Sequence, residues 1–344
     1  MNQGKAHAHK GPLISAHALS EIITAQGVKV IDGSWRLDPA AAPASAAFEK
    51  RRIPGAVFFD LDAIADQASD LPHMLPTRAQ FDDAVRRLGV TRNDTIIIYD
   101  DVGIFSAPRV WWTFRVMGYP NVQVLDGGLP AWCAAGHVLD EQMAEAIRSL
   151  PPEPECAAPS HAVVTDAVVT DAVVPNAVVK DAVVTGASAM PGFKVAGKEH
   201  VLEACQPTDP RAVILDARPS ARFLGNAPEP RPGLRAGAMP NAINLPSASV
   251  LTETGTMRRR TELVEVFDQL GVVSGENVIA TCGSGVTAAI LILALELTGH
   301  GHHALYDGSW AEWGLEKYAA TLPVVTACPT QVARNLGHQN GHEA

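Results

Sequence analysis

One succession of strand, turn and helix signals runs through this chain twice, and any fold must accommodate both copies. In the first copy, residues 15–26 read as a helix that Ser15 caps, with Leu19, Ile22 and Ile23 on one apolar face. A short buried strand follows at 28–31, ending in Asp32. Ile53-Pro54-Gly55-Ala56 turns into a strand over 57–59. Thr77 caps a helix over 77–88 with Phe81, Ala84, Val85 and Leu88 at helical spacing. Residues 95–99 form a strand, 107–117 a largely buried helix, and 122–125 a strand running into Asp126-Gly127-Gly128 and Trp132. The same order returns as Val213-Ile214-Leu215-Asp216, then Met239-Pro240-Asn241-Ala242-Ile243, then a helix over 261–270. A strand over 278–281 and the run Tyr306-Asp307-Gly308-Ser309-Trp310 complete the second copy. Strands alternating with helices make βα units and a mostly parallel, covered sheet. The expectation is therefore two similar α/β domains, over 11–141 and 193–325.

Between them, residues 142–192 read as a low-complexity linker. Ala162-Val163-Val164-Thr165-Asp166 recurs there with a period of five, which matches neither strand alternation nor one helix face. Residues 326–344 read as a disordered tail.

With 47% hydrophobic and 19% charged residues, the 344-residue chain is that of a globular protein with two well-developed cores. A net charge of −10 argues against a nucleic-acid partner. Cys133, Cys156, Cys205, Cys282 and Cys328 form no CxxC pair and are odd in number, which fits a reduced compartment and one functional thiol. No apolar run reaches membrane-spanning length and no signal-peptide core follows the first charges, so the expected location is cytoplasmic.

The two copies differ most where ligands bind in open α/β sheets, past the end of the central strand. The first copy has Asp100-Asp101 there; the second has Cys282-Gly283-Ser284-Gly285-Val286-Thr287, followed by an apolar helix. Two glycines in four residues make a tight loop whose N–H groups, with a helix N-terminus behind them, favour negative charge on the Cys282 sulfur. The loop holds no Lys or Arg. The position six residues after Cys282, where a cysteine phosphatase carries a phosphate-binding Arg, is Ala288. This argues against phosphoryl transfer.

Past another strand end of the same copy come Arg218, Arg222, Arg231 and Arg235, a density that suits an anionic substrate. Arg218 and Arg235 are equally compatible with surface salt bridges. In the first copy, Asp60-Leu61-Asp62 and Leu71-Pro72-His73-Met74-Leu75-Pro76 form a proline-bracketed segment in which a histidine carries no signal by itself.

The runs Cys282 to Ala288, Asp216 to Phe223, Glu229 to Arg235, and the Asp60–Asp62 and His73–Pro76 segments resemble those of the 3-mercaptopyruvate sulfurtransferases, a family of tandem-rhodanese fold. The resemblance implies that Cys282 takes the sulfur of 3-mercaptopyruvate as a persulfide, cradled by Gly283, Gly285, Val286 and Thr287. It implies that Arg222 and Arg231 hold the substrate carboxylate and carbonyl. It also implies that Ser284, His73 and Asp62 form a proton relay. No cofactor or metal is implied. The acceptor would be a thioredoxin-like protein, a small thiol or cyanide. Two other readings remain: a thiosulfate:cyanide sulfurtransferase, against which the uncharged loop argues, and a non-enzymatic sulfur carrier or scaffold, against which Cys282 and the two arginines argue.

Overall fold

Each copy builds a five-stranded sheet in which every pairing is parallel. The structure, a computed structural model, describes residues 11–38, 40–141, 193–206 and 212–326. The pentad repeats, the rest of the expected linker and the chain beyond residue 326 lie outside the described residues. The first copy runs β1 (Leu13–Ile14), α1 (Ala16–Ile22), β2 (Val28–Asp32), α2 (Ala44–Lys50), β3 (Val57–Phe58), α3 (Leu61–Ile64), α4 (Arg78–Arg87), β4 (Thr95–Tyr99), α5 (Ala107–Val116), β5 (Val122–Leu125) and α6 (Gly128–Ala134). The second runs β6 (Phe193–Ala196), α7 (Lys198–Ala204), β7 (Val213–Asp216), α8 (Ser220–Phe223), β8 (Ile243–Asn244), α9 (Arg260–Gln269), β9 (Val278–Thr281), α10 (Ala288–Thr298), β10 (His303–Tyr306) and α11 (Ser309–Trp313). The strand orders are β1-β5-β4-β2-β3 and β6-β10-β9-β7-β8, one topology used twice.

The local signals act as their chemistry dictates. Ser15 Oγ accepts from the Ala18 N–H and opens α1. Thr77 and Gln80 form a reciprocal capping box at the start of α4. α1 is shorter than the helix expected over 15–26, because its apolar face ends at Ile22 and Ile23 and a turn through Gly27, at φ +82°, redirects the chain into β2. The central strands are apolar without alternation, as parallel strands covered on both faces must be.

Strand ends place the chemistry. β2, β4 and β5 end in or run into Asp32, Asp100 and Asp126; β7, β9 and β10 end in or run into Asp216, Cys282 and Asp307. Five of these six positions are aspartate, and the sixth is the cysteine on the central strand of the second sheet.

The copies meet along α5 and α10, which pack against each other and are apolar almost all round. Trp111, Trp112 and Phe114 from one side join Ile290, Leu291 and Leu293 from the other in a single hydrophobic cluster. The seam is approximately two-fold. Asp126 Oδ1 accepts from the Met257 N–H at 2.8 Å, and Asp307 Oδ2 accepts from the Leu75 N–H at 2.7 Å. Each donor N–H lies two residues before the capping residue of α9 or α4, so each copy pins the same loop of the other. None of the helices among the described residues is long and apolar enough to cross a membrane.

Candidate active site

Cys282 sits at the end of β9, 2% exposed. The start of α11 holds its loop from below: Trp310 N–H donates to the Cys282 carbonyl at 2.9 Å and Ala311 N–H to the Gly283 carbonyl at 2.8 Å. The Cys282 N–H in turn donates to Ser309 Oγ at 3.2 Å. Both loop glycines are closely approached, and Gly285 is required by its backbone as well. A Cβ on Gly283 would lie 3.1 Å from Arg222 Nη2. Gly285 has φ +76°, and a Cβ there would meet Arg109 Nη1 at 2.8 Å and the Asp307 carbonyl at 3.0 Å.

The first copy shows how such a loop seats a carboxyl group. Asp100, at the place of Cys282, accepts from the Phe105 and Ala107 N–H groups at 2.7 and 2.8 Å and from Ser106 Oγ at 2.6 Å. Its own carboxylate fills the cradle. In the second copy the corresponding turn runs through Val286 and Thr287 into α10, and a cysteine side chain is one atom layer shorter than an aspartate. Thr287, half-buried, stands at the N-cap of α10 with no side-chain capping bond.

The residues expected to form the relay come together from both copies. His73 Nδ1 lies 3.0 Å from Ser284 Oγ, across a sequence separation of 211 residues, and both side chains are buried. His73 Nε2 lies 3.0 Å from Asp62 Oδ1. A carboxylate only accepts, so in the neutral imidazole Nε2 carries the proton and Nδ1 is left to accept from the Ser284 hydroxyl. The hydrogen bond from His73, more than any other influence, holds the Asp62 carboxyl below the usual range, although burial opposes it. Trp35 Nε1 donates to both Asp62 oxygens, at 3.2 and 3.1 Å, and its ring meets the His73 imidazole edge-on at 4.7 Å. His73 itself has φ +59°, a left-handed conformation costly for a residue with a Cβ; Gly255, four residues before the helix cap in the other copy as His73 is in its own, has φ +76°.

The four arginines separate into two kinds. Arg218 is fully buried: it pairs with Asp216 and with Glu229 Oε1 at 2.8 Å, donates to the Gly237 carbonyl, and stacks on Trp310. Arg235 donates to the carbonyls of Trp313, Gly314 and Leu322. Both are framework residues, neither surface salt bridges nor anion ligands. Arg222 pairs with Glu229 and hangs over Gly283. Arg231 makes no hydrogen bond or ion pair among the described residues.

Together these groups enclose a cavity of about 160 Å³ lined by Cys282, Gly283, Ser284, Val286, Thr287, Arg222, Arg231, Trp35 and Phe105. That is below the roughly 300–1,000 Å³ of sites for drug-sized ligands and suits a fragment of a few heavy atoms. A larger cleft of about 470 Å³ beyond Arg231 does not reach Cys282. Gly285 does not line the small cavity; its role is to turn the loop. Sequence reasoning missed Trp35, Phe105, Glu229 as the orienter of Arg222, and Arg109, whose side chain from α5 reaches the Cys282 loop. Glu229 lay within a motif already singled out, but nothing local in Trp35 or Arg109 marks them. The other described cysteines contrast with Cys282: burial pushes the Cys205 thiol up to about 12, and neither Cys205 nor Cys133 lines this cavity.

Such a protein is a two-domain α/β protein with, among the described residues, one cysteine in the cavity at the seam between its halves. The pattern of the rhodanese-like domain matches residues 15–135 and 201–316, and the chain belongs to the rhodanese family. It is similar over nearly its whole length to tandem members. It is 38% identical over 313 residues to 3-mercaptopyruvate sulfurtransferase of Escherichia coli, covering 90% of this chain and 96% of that protein. It is 34% identical over 312 residues to the mitochondrial thiosulfate/3-mercaptopyruvate sulfurtransferase 1 of Arabidopsis thaliana, covering 89% and 76%. The crystal structure of the Escherichia coli 3-mercaptopyruvate enzyme superposes with a TM-score of 0.66 at 33% identity, covering 88% of this chain and all of that one.

Proposed function

We propose that this protein is a 3-mercaptopyruvate sulfurtransferase working through a Cys282 persulfide. The observation that carries the reading is the Ser284–His73–Asp62 chain beside Cys282, in a loop that has no positive charge of its own. The similarity to sulfurtransferases fixes the class of chemistry. Because one of those relatives is named for both donors, the donor is argued from the site.

The Cys282 thiolate attacks the substrate sulfur. The Cys282–sulfur bond forms as the sulfur–C3 bond breaks, and the bonding pair passes to C3 as the enolate of pyruvate. The proton on the substrate thiol leaves through Ser284 Oγ to His73 Nδ1 and returns to C3, giving pyruvate and a Cys282 persulfide anion. No proton is gained or lost overall. Asp62 keeps the imidazole in the accepting tautomer and stabilises its transient charge. Arg222 and Arg231 take the carboxylate and the keto oxygen, where enolate charge develops. The vacated loop N–H groups take the persulfide, as they take the Asp100 carboxylate in the first copy. A thiol acceptor, a thioredoxin-like protein or a small thiol, then attacks the outer sulfur and restores Cys282; cyanide would leave as thiocyanate. We place the enzyme in the cytoplasm, where its unpaired thiols stay reduced, and its domains at 11–141 and 193–325.

Thiosulfate releases sulfite, a stable anion that needs no proton at carbon, so the relay adds nothing to its use. Steady-state kinetics with each donor and one dithiol acceptor test the reading: kcat/KM is higher with 3-mercaptopyruvate, and a higher value with thiosulfate overturns it. Mass spectrometry after donor alone shows a gain of one sulfur in the wild type and none in Cys282→Ser.

A further inference from the structure

Arg109 is the third residue of α5, a helix otherwise devoted to the hydrophobic seam, and it is 1% exposed. The third residue of the matching helix α10 is Ile290, apolar and buried. A buried arginine in the middle of an apolar seam is costly unless it is paired and hydrogen-bonded. Its contacts all fall on the catalytic side. Nη2 donates to the His73 carbonyl at 2.6 Å and lies 2.6 Å from Asp307 Oδ1. Nη1 donates to the Gly285 carbonyl at 3.3 Å. The guanidinium face rests on the Trp112 ring, 4.7 Å from its centroid. Asp307 in turn holds the Leu75 N–H, two residues beyond His73.

The two-fold character of the seam supplies an internal control. Asp126 reproduces the Asp307 clamp on the other side, by accepting from Met257 N–H. There the residue matching His73 is Gly255, which adopts the left-handed conformation freely, and the residue matching Arg109 is Ile290. The arginine occurs only where a histidine must be held in a conformation that costs it energy. Holding the seam together therefore does not require it.

We infer that Arg109, with Asp307 as counter-ion, is the positioning residue of the relay: it ties the His73 loop of one copy to the Cys282 loop of the other, and so fixes the Ser284–His73 hydrogen bond. The inference rests on the reading of Ser284, His73 and Asp62 as a proton relay. It assigns Arg109 no contact with substrate.

The test compares wild type, Arg109→Lys and Asp307→Asn, the last keeping an acceptor for the Leu75 N–H while removing the charge. The readouts are kcat and KM with 3-mercaptopyruvate and with thiosulfate, and the rate of Cys282 alkylation. Misplacing a catalytic group by about 1 Å costs up to about 100-fold. Accordingly kcat with 3-mercaptopyruvate falls roughly 10- to 100-fold in both variants, with KM, alkylation and thiosulfate turnover within about threefold of wild type. In a His73→Ala background Arg109→Lys causes no further loss, because the group it positions is gone. Equal losses with both donors, or losses that multiply with those of His73→Ala, overturn the inference. If Arg109→Lys does not fold, Asp307→Asn carries the same donor split, and its absence in that folded variant is equally fatal. The imidazole NMR signals of His73 in resting protein separate this inference from the assignment of the donor. They shift towards those of a free histidine in Arg109→Lys whichever donor the wild type prefers, and unchanged signals refute the positioning role.

Discussion

Replacing Arg231 with alanine removes a charge that has no hydrogen bond or ion pair among the described residues. The Arg231 side chain is half-buried, and burial pushes its guanidinium below the usual arginine range. Negative charge on Cys282 opposes that shift and the neighbouring Arg222 adds to it. On the proposed function, that cost is borne in the free enzyme and recovered when the substrate anion arrives. A hydrogen bond to a charged group contributes about 1.5–3 kcal/mol. Arg231→Ala therefore lowers kcat/KM for 3-mercaptopyruvate roughly 10- to 150-fold, while thermal unfolding of the ligand-free protein stays where it is or moves up. Arg222→Ala has the opposite stability sign. It takes a partner from Glu229, whose side chain is 2% exposed, and leaves it only Arg218. Losing that charge-assisted contact costs about 1–2 kcal/mol of stability, on top of a similar kinetic loss. The pair of variants is measured by differential scanning fluorimetry without substrate and by initial rates with it. An Arg231→Ala protein that melts well below wild type would show that Arg231 has a structural partner. A kinetic loss under threefold would show that the substrate does not supply the missing anion.

Two further predictions follow from the loops and the strand ends. Gly285→Ala loses about 1–2 kcal/mol for the left-handed backbone alone, and more because its Cβ meets Arg109 and the Asp307 carbonyl. Gly55→Ala, at φ +74° with open space around it, suffers only the backbone cost. Equal falls in melting temperature would refute the steric argument. Asp100→Asn tests the filled cradle of the first copy. Burial outweighs the hydrogen bonds of Ser106, Ala107 and Phe105 and raises the Asp100 carboxyl to about 7. The folded state therefore binds this proton more tightly than the unfolded chain, and stability falls as pH rises from about 4 through 7, by on the order of 4 kcal/mol for a shift of about three units. The amide can reproduce the contacts without a charge, so urea midpoints of variant and wild type converge near pH 4 and separate, with the variant higher, by pH 8. A pH-independent difference would refute the assignment.

Sequence alone determined the repeated βα succession and the parallel sheets, and it put a cysteine at the end of the central strand of the second copy, because each is written in short range. Apolar runs, a capping threonine at Thr77 and glycines beside Cys282 act on neighbours within a few residues. The same locality explains the failures. Arg218, Arg222, Arg231 and Arg235 read alike as a string; resemblance singled out Arg222 and Arg231, and packing adds that Arg235, and Arg218 although it too borders the cavity, are tied into the framework. His73 was mute as a loop histidine until resemblance gave it a role, since its partner Ser284 lies 211 residues away. Trp35 and Arg109 carried no local signal at all. Tertiary structure decided the site because its groups come from opposite halves of the seam, and their meeting is set by how α5 and α10 pack.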